Sequence, residues 1–347
     1  MSTLAAQSPD LILEMWQPSC SIEKLKARAE FYAQIRAFFY KRNVLEVETP
    51  LLSISTATDP HLESICALVK TQMDQVEQNY FLHTSPEFPM KRLLASGSGS
   101  IYQICKTFRN GETGSRHNPE FTMLEWYRPG FSLDDLMSEV ESLIYETLAP
   151  KFTLSRGIEK LTYRESFLRY LSIDPFEIAD ADLEIKAREL TAYAGPDMVR
   201  DDYLNLLLSI CIEPQLGKIT SDKKNHLSPV FLYEYPPSQA SLAQVSISKE
   251  GISVAQRFEL YIDGLELANG YFELTDPKEQ VNRFEQDNAE RRHLNLPEIP
   301  FDINLISALK KGLPACAGVA LGLDRLLMVR ERAQSISEVL AFPIERA

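Results

Sequence analysis

Between Phe108 and Tyr127 the chain reads FRNGETGSRHNPEFTMLEWY. Two arginines, a polar loop and a row of alternating apolar and acidic residues fill one continuous segment. Arginine offers a planar fork for phosphate oxygens. A carboxylate beside a phenol offers acceptors for an ammonium group. Successive strand residues point to opposite faces. Phe121, Met123, Glu125 and Tyr127 therefore share one face, and Glu120, Thr122, Leu124 and Trp126 the other. In the strand expected before them, Arg109 shares a face with Gln103, Cys105 and Thr107. A hairpin would set Arg109 beside an aromatic–acid–phenol row, with Phe121 able to cover an adenine ring. A salt-bridged surface hairpin explains the same parity about as well.

Two further stretches could do chemistry. In GVALGLDRLL, Gly322 permits close approach of a ligand to the backbone. Asp324 and Arg325 follow at the start of a helix, where amide groups and dipole favour anions. In DGLELANGYFEL, Glu266 is opposite in parity to Leu265 and Leu267. Asn269–Gly270 is expected to bulge this strand and return Glu273 toward the pocket of Glu266. Paired carboxylates near a polyphosphate suit Mg²⁺. Solvated strand acids and an ordinary acid in a first helical turn are the plainer explanations. ASGSGS, Ala95 to Ser100, lacks the lysine of a phosphate loop and is expected to be a hairpin turn. The five histidines form no close pair, and His117 is expected to be only a loop contact.

These residues need elements to hold them. Ile22, Leu25, Ala29, Tyr32, Ile35 and Phe39 recur at helical spacing after Ser21 and before KRN at Lys41–Asn43. An extended segment from Val44 is interrupted at Pro50. NYFLHTSPEFPMKRLL predicts a strand, a turn at Ser85–Pro86 and a helix from about Pro89. Ser132 and Asp135 predict a capping box. Asp263–Gly264 between alternating apolar residues predicts a tight hairpin. Strands joined partly by hairpins and partly by helices predict an α+β fold with a largely antiparallel sheet. Residues 1–20 read as an arm. Residues 21–347 read as one domain with a helical insertion at about 160–225.

The chain has 347 residues, 44% hydrophobic and 24% charged, within the range of ordinary globular proteins. No apolar run approaches the roughly 18 residues of a membrane span. Five scattered cysteines, with no C-x-x-C, predict reduced thiols and a cytoplasmic setting. A net charge of −13 argues against a long nucleic acid as main partner.

Taken in order, FFYKRNVLEVETPLL with Pro50, FRNGETGSRHNPEFTMLEW and GVALGLDRLLM resemble motifs 1, 2 and 3 of the class II aminoacyl-tRNA synthetase core. TSPEFPMKRLL and ELANGYFELTD resemble its lysine-type branch. Only about 20 residues precede the first helix, too few for the anticodon-binding barrel of a lysyl-tRNA synthetase. Ala320 stands where the tRNA enzymes carry glycine. The chain thus most resembles the elongation factor P–lysine ligases. That resemblance implies ATP and Mg²⁺, activation of lysine or (R)-β-lysine as an adenylate, and transfer to a lysine of elongation factor P. It implies a homodimer with motif 1 at the interface, and a protein acceptor in place of tRNA. A truncated ligase acting on tRNA and a non-catalytic paralogue are the alternatives.

Carried over residue by residue, the resemblance makes Arg109, Glu266 and Arg325 catalytic. It makes Arg109, Asn110, Gly111, Glu112, Asn118, Phe121, Glu266, Leu267, Gly322 and Arg325 the ATP contacts. Glu266 and Glu273 would hold Mg²⁺. Ser85, Pro86, Glu87, Glu125, Tyr127 and Glu273 would line the amino-acid pocket. One departure stands out: the family has an acid where this chain has Gly111, with Glu112 one place later.

Overall fold

A computed structural model describes residues 16–70, 77–155, 157–218 and 225–347. Helix α1, Ile22–Tyr40, starts where the Ser21 side chain accepts from the Lys24 amide, and it buries Phe31, Ile35, Phe38 and Phe39. Strand β1 (Leu45–Glu46) follows it. Strands β2 (Leu52–Ser53), β3 (Cys66–Lys70) and β4 (Glu77–Leu82) form a small antiparallel sheet of their own. Helix α2 spans Glu87–Ala95, two residues earlier than Pro89. The Ala95–Ser100 stretch joins α2 to a strand and is not a hairpin turn; Gly97 and Gly99 take positive φ there.

Strands β5 (Ile101–Phe108) and β6 (Glu120–Pro129) form the hairpin around the opening stretch, with Thr107 opposite Phe121 and Gln103 opposite Glu125. Helix α3, Leu133–Leu148, begins with the capping box of Ser132 and Asp135. Short strands β7 (Thr153–Leu154) and β8 (Glu159–Thr162) lead into helices α4 (Tyr163–Leu171), α5 (Asp180–Thr191) and α6 (Arg200–Leu207). The stretch expected as a helical insertion, about 160–225, carries these three helices and the short helical turns Leu208–Ile212 and Glu213–Gln215 after the end of β8; residues 219–224 lie outside the described residues. The chain returns through β9 (His226–Leu227), β10 (Val230–Tyr235) and β11 (Val245–Ile247). Strands β12 (Ser253–Ile262) and β13 (Leu265–Phe272) turn at Asp263–Gly264, both at positive φ. Helices α7 (Pro277–His293) and α8 (Ile303–Gly312), strand β14 (Cys316–Gly322) and helix α9 (Leu323–Glu331) complete it.

The main sheet runs β1-β5-β6-β14-β13-β12-β10-β8, with β11 on β12. Its middle is antiparallel, and only the outer pairs β1–β5 and β8–β10 are parallel. One face is apolar throughout: Leu124, Trp126, Phe258, Leu260, Val319 and Leu321 pack against α1, α3 and α9. The other face is divided. At one end Ile101, Tyr127 and Cys316 pack on α2, α7 and α8. At the other, Leu232, Tyr235, Ala255 and Tyr261 pack on α4, α5 and α6. Between these two cores the sheet is open.

The expected bulge exists in a different place. Leu260 faces Ala268 and Tyr261 faces Glu266, so Leu267 has no opposite number. The slip turns Glu266 onto the open face with Asn269, Tyr271 and Glu273. Gly270 serves packing instead, since a Cβ there would lie 2.5 Å from the Phe258 ring. Of the expected arm, residues 1–15 lie outside the described residues. Ser19 is tied down, its hydroxyl donating to Ser337 and Leu340 carbonyls.

Asp324 fastens the layers together. Its carboxylate accepts from the Arg28 guanidinium at 2.5 Å and the Thr122 amide at 2.6 Å, joining α9 to α1 and β6. It is 2% exposed, so its loss leaves the Thr122 amide without its acceptor and the part-buried Arg28 without its charge partner. Asp324→Ala should cost about 3–5 kcal/mol, read as a lowered urea midpoint at unchanged slope.

Candidate active site

A cleft of about 1750 Å³ lies over the open face of the sheet. Its two ends differ in chemistry, because strand alternation and the Leu267 bulge deliver different side chains to each.

At one end stand two arginines. Gly322 caps α9, so Arg325 projects from the first turn of that helix. Its Nη1 donates to the Glu266 carbonyl at 2.9 Å and lies 3.7 Å from the Glu266 carboxylate. Its Nη2 lies 2.5 Å from His117 Nε2. Burial and Arg325 hold the His117 imidazole below its usual pKa, so it is a neutral acceptor here. Arg109 reaches the cleft from the end of β5. It pairs loosely with Glu112 at 3.6 Å, and its guanidinium lies 5.2 Å from the centre of the Phe121 ring. Among the described residues, the buried Arg109 Nε has no hydrogen-bond partner. A buried donor left open costs free energy unless something fills it. Two guanidinium groups beside an aromatic face, one of them with an open donor, suit a nucleotide polyphosphate. Leu267 and Gly322 line the same end.

The motif 2 loop departs from expectation. Asn110 turns away and donates from Nδ2 to the Glu63 carboxylate at 2.8 Å. Gly111 is exposed with φ +76° and open space where a Cβ would be. Neither lines the cleft; Glu112, next along, does. Asn118 braces the loop, donating to the Glu120 carbonyl and accepting from the Ile344 amide.

Glu266 and Glu273 are not brought together as a metal pair. They share a face but stand seven positions apart, and Glu273 is committed to Lys91 at 2.6 Å. The nearby acid of Glu266 is Glu259, which sequence reasoning missed. Burial and then Glu259 push the Glu266 carboxyl upward, against Arg325. Glu259 is itself fixed by the Tyr235 and Tyr261 hydroxyls, each at 2.6 Å, and by Arg257. Two carboxylates side by side near the guanidinium groups, with Glu266 raised by burial and then by Glu259, fit a divalent cation whose shell phosphate oxygens would complete. No cluster of three or more metal-ligating side chains occurs among the described residues.

At the other end the acids are buried. Ser85 lies in the turn before α2, and its hydroxyl donates to Glu125 at 2.7 Å. Tyr127 donates to the other Glu125 oxygen at 2.6 Å. Pro86 contributes backbone, its carbonyl accepting from the Met90 amide at the start of α2. Ser85 and Glu87 line the cleft, while Glu125, Tyr127 and Glu273 form the floor beneath it. Burial is the main cause that pushes Glu125 up to about 8 and Glu273 up to about 8. A site of this kind accepts an ammonium by giving up protons. Asn269 and Tyr271, also unforeseen, line the wall between the two ends.

Comparison with known proteins places this geometry. The family of class II tRNA synthetases (D, K and N) matches residues 11–346. The elongation factor P–(R)-β-lysine ligase of Pasteurella multocida (strain Pm70) is 48% identical over 96% of this chain and 99% of its own. The enzyme of the same name from Yersinia enterocolitica is 49% identical over 96% of this chain and 98% of its own.

The floor has a measurable pH signature. A carboxyl raised on folding lends its stability below its ordinary pKa of 4.5 and loses it as pH rises through about 8. Glu125→Gln removes that loss. Its melting temperature relative to the unmutated protein should therefore rise by about 2–4 °C between about pH 6 and about pH 8.5 without substrate, by calorimetry.

Proposed function

Because the chain belongs to the class II tRNA synthetases (D, K and N), and to the family of elongation factor P–(R)-β-lysine ligases, we propose that it attaches a lysine isomer to elongation factor P. The substrate is lysine or (R)-β-lysine, activated with ATP. The observation that carries this reading is the pairing, in one cleft, of two arginines beside an aromatic face, one of them with an open buried donor, with a floor of buried acids.

The reaction runs in two steps. The amino-acid carboxylate attacks the α-phosphate of ATP, forming the aminoacyl-adenylate and expelling pyrophosphate. The ε-amine of the target lysine then attacks the adenylate carbonyl, forming an amide and releasing AMP. Neither step needs an enzyme nucleophile; both need alignment and charge neutralisation. Arg109 holds the α-phosphate, Arg325 the γ-phosphate, and Phe121 covers the adenine. Glu266, with Glu259 beside it, would hold Mg²⁺, which neutralises charge on the leaving pyrophosphate. Ser85, Glu87, Glu125, Tyr127 and Glu273 take the substrate ammonium groups. An acid-floored pocket rejects amino acids that lack the second amine. Ala320 faces Glu125 across the β6–β14 pair, so its methyl group stands on the pocket side.

Cytoplasmic action and dimerisation belong to the same proposal. Helix α1 and the segment after it expose Ile22, Tyr40, Leu45, Leu51, Leu52 and Ile54. Apolar side chains so placed on and beside motif 1 suit a two-fold contact between copies of the chain.

Incubation with ATP, each lysine isomer, and either elongation factor P or tRNA tests the activity by mass spectrometry. A mass gain on a lysine of elongation factor P is expected; label on tRNA alone overturns the proposal. Arg325→Ala should lower ATP–pyrophosphate exchange by about 10²–10³-fold, the usual cost of losing one transition-state charge donor. Sedimentation tests the assembly: the unmutated protein should run as a dimer and the Tyr40→Glu/Leu45→Glu variant as a monomer. An unmutated protein that sediments as a monomer removes the dimer.

A further inference from the structure

One cation of the pocket has no part in the chemistry above. Lys91 lies one turn after Glu87 on α2 and is 1% exposed. Its Nζ is 2.6 Å from Glu87 Oε1 and 2.6 Å from Glu273 Oε2. An isolated buried ammonium is strongly disfavoured, so a lysine in this place depends on those two carboxylates. The dependence is mutual, since Glu273 is also 1% exposed.

We propose that Lys91 is a positioning residue of the amino-acid pocket: it clamps Glu87 and Glu273 side by side and cancels one of the floor's three negative charges, leaving two for a substrate with two ammonium groups. The charge count rests on the diamino acid substrate proposed above. The three acids are Glu87, Glu125 and Glu273. The groups that face Lys91 are Glu87 on its own helix, Glu125 on β6, Glu273 after β13, and Cys316 on β14, with Tyr127 bound to Glu125 beside them. Glu125 is met by two hydroxyl donors, Ser85 and Tyr127, which orient it without neutralising it. Glu87 alone of the three lines the cleft directly. The clamp therefore sets the direction in which the entering amine finds its first acceptor.

Lys91 also opposes the upward push of burial on Glu125 and Glu273. Without it those carboxyls keep their protons to higher pH. An entering ammonium, which already displaces protons from these acids at neutral pH, then displaces them against a higher proton affinity, and the penalty fades only at more alkaline pH.

ATP–pyrophosphate exchange by the full chain tests this, comparing unmutated protein with Lys91→Met and Lys91→Gln across about pH 6.5 to 9. For each lysine isomer, KM should rise about 10–100-fold near neutral pH in both variants, as expected for a lost charged partner. KM for ATP should stay within about twofold, and the amino-acid defect should shrink as pH rises. Glutamine keeps hydrogen bonds without the charge, so equal behaviour of the two variants assigns the effect to charge. An unchanged amino-acid KM, or a fall in kcat alone with no pH dependence, overturns the proposal. If neither variant folds, calorimetry on the unmutated protein decides. Binding of the diamino acid should release about one to two protons near pH 7 and close to none near pH 9; no release near pH 7 overturns the charge count. Absence of exchange by the unmutated protein with any lysine isomer is a different result, and strikes the proposed function itself.

Discussion

The floor of the cleft exists because residue 318 has no side chain. A Cβ on Gly318 would lie 2.3 Å from the Tyr127 ring and 2.5 Å from a Glu273 oxygen. Strand β14 runs between β6 and β13, and the side chains of those neighbours lean over it until they nearly meet. Any larger residue would push them apart. Tyr127 would then lose its hold on Glu125, and Glu273 its approach to Lys91. The amino-acid end of the site is thus built on a gap one methyl group wide.

The rest of the open face follows from the cost of burying charge. Its two ends close over apolar residues, with α2, α7 and α8 on one side and α4, α5 and α6 on the other. Its middle carries Arg257, Glu259, Glu266, Glu125 and Glu273, which no apolar helix could cover cheaply. The protein meets that cost locally, by hydroxyls on Glu259 and Glu125 and by cations on Glu259 and Glu273. Among the described residues the Arg109 Nε stays unmet, and it stands where ligand atoms would meet it.

Parity made much of this legible. The face shared by Phe121, Met123, Glu125 and Tyr127 depends only on an unbroken strand, and β6 is unbroken over ten residues. The Asp263–Gly264 turn is chemically specific, and it appears where its residues require. The bulge in β13 was misplaced because glycine was its most visible signal. The slip occurs at Leu267, where no residue advertises it, and Gly270 answers to the Phe258 ring instead. Asn110 was misdirected by a contact with Glu63, 47 positions earlier in the chain. The Arg325–His117 and Lys91–Glu273 contacts join residues about 200 apart. No local pattern encodes such pairs; they become readable only when the strand order is known.

That strand order bears on how the protein is made. β14, residues Cys316–Gly322, is the last strand of the sheet to leave the ribosome, yet it lies between β6 and β13. Until it arrives, β5–β6 and β12–β13 are separate ribbons, each with an unpaired edge where β14 will sit. Unpaired edges of that kind invite wrong partners. The two halves of the cleft, one holding Arg109 and the other Glu266, are joined as a single sheet only by the same seven residues. Synthesis of this sheet therefore leaves the two halves of the cleft unjoined until β14 has emerged, and the strand that completes the sheet also leads into the helix that carries Arg325.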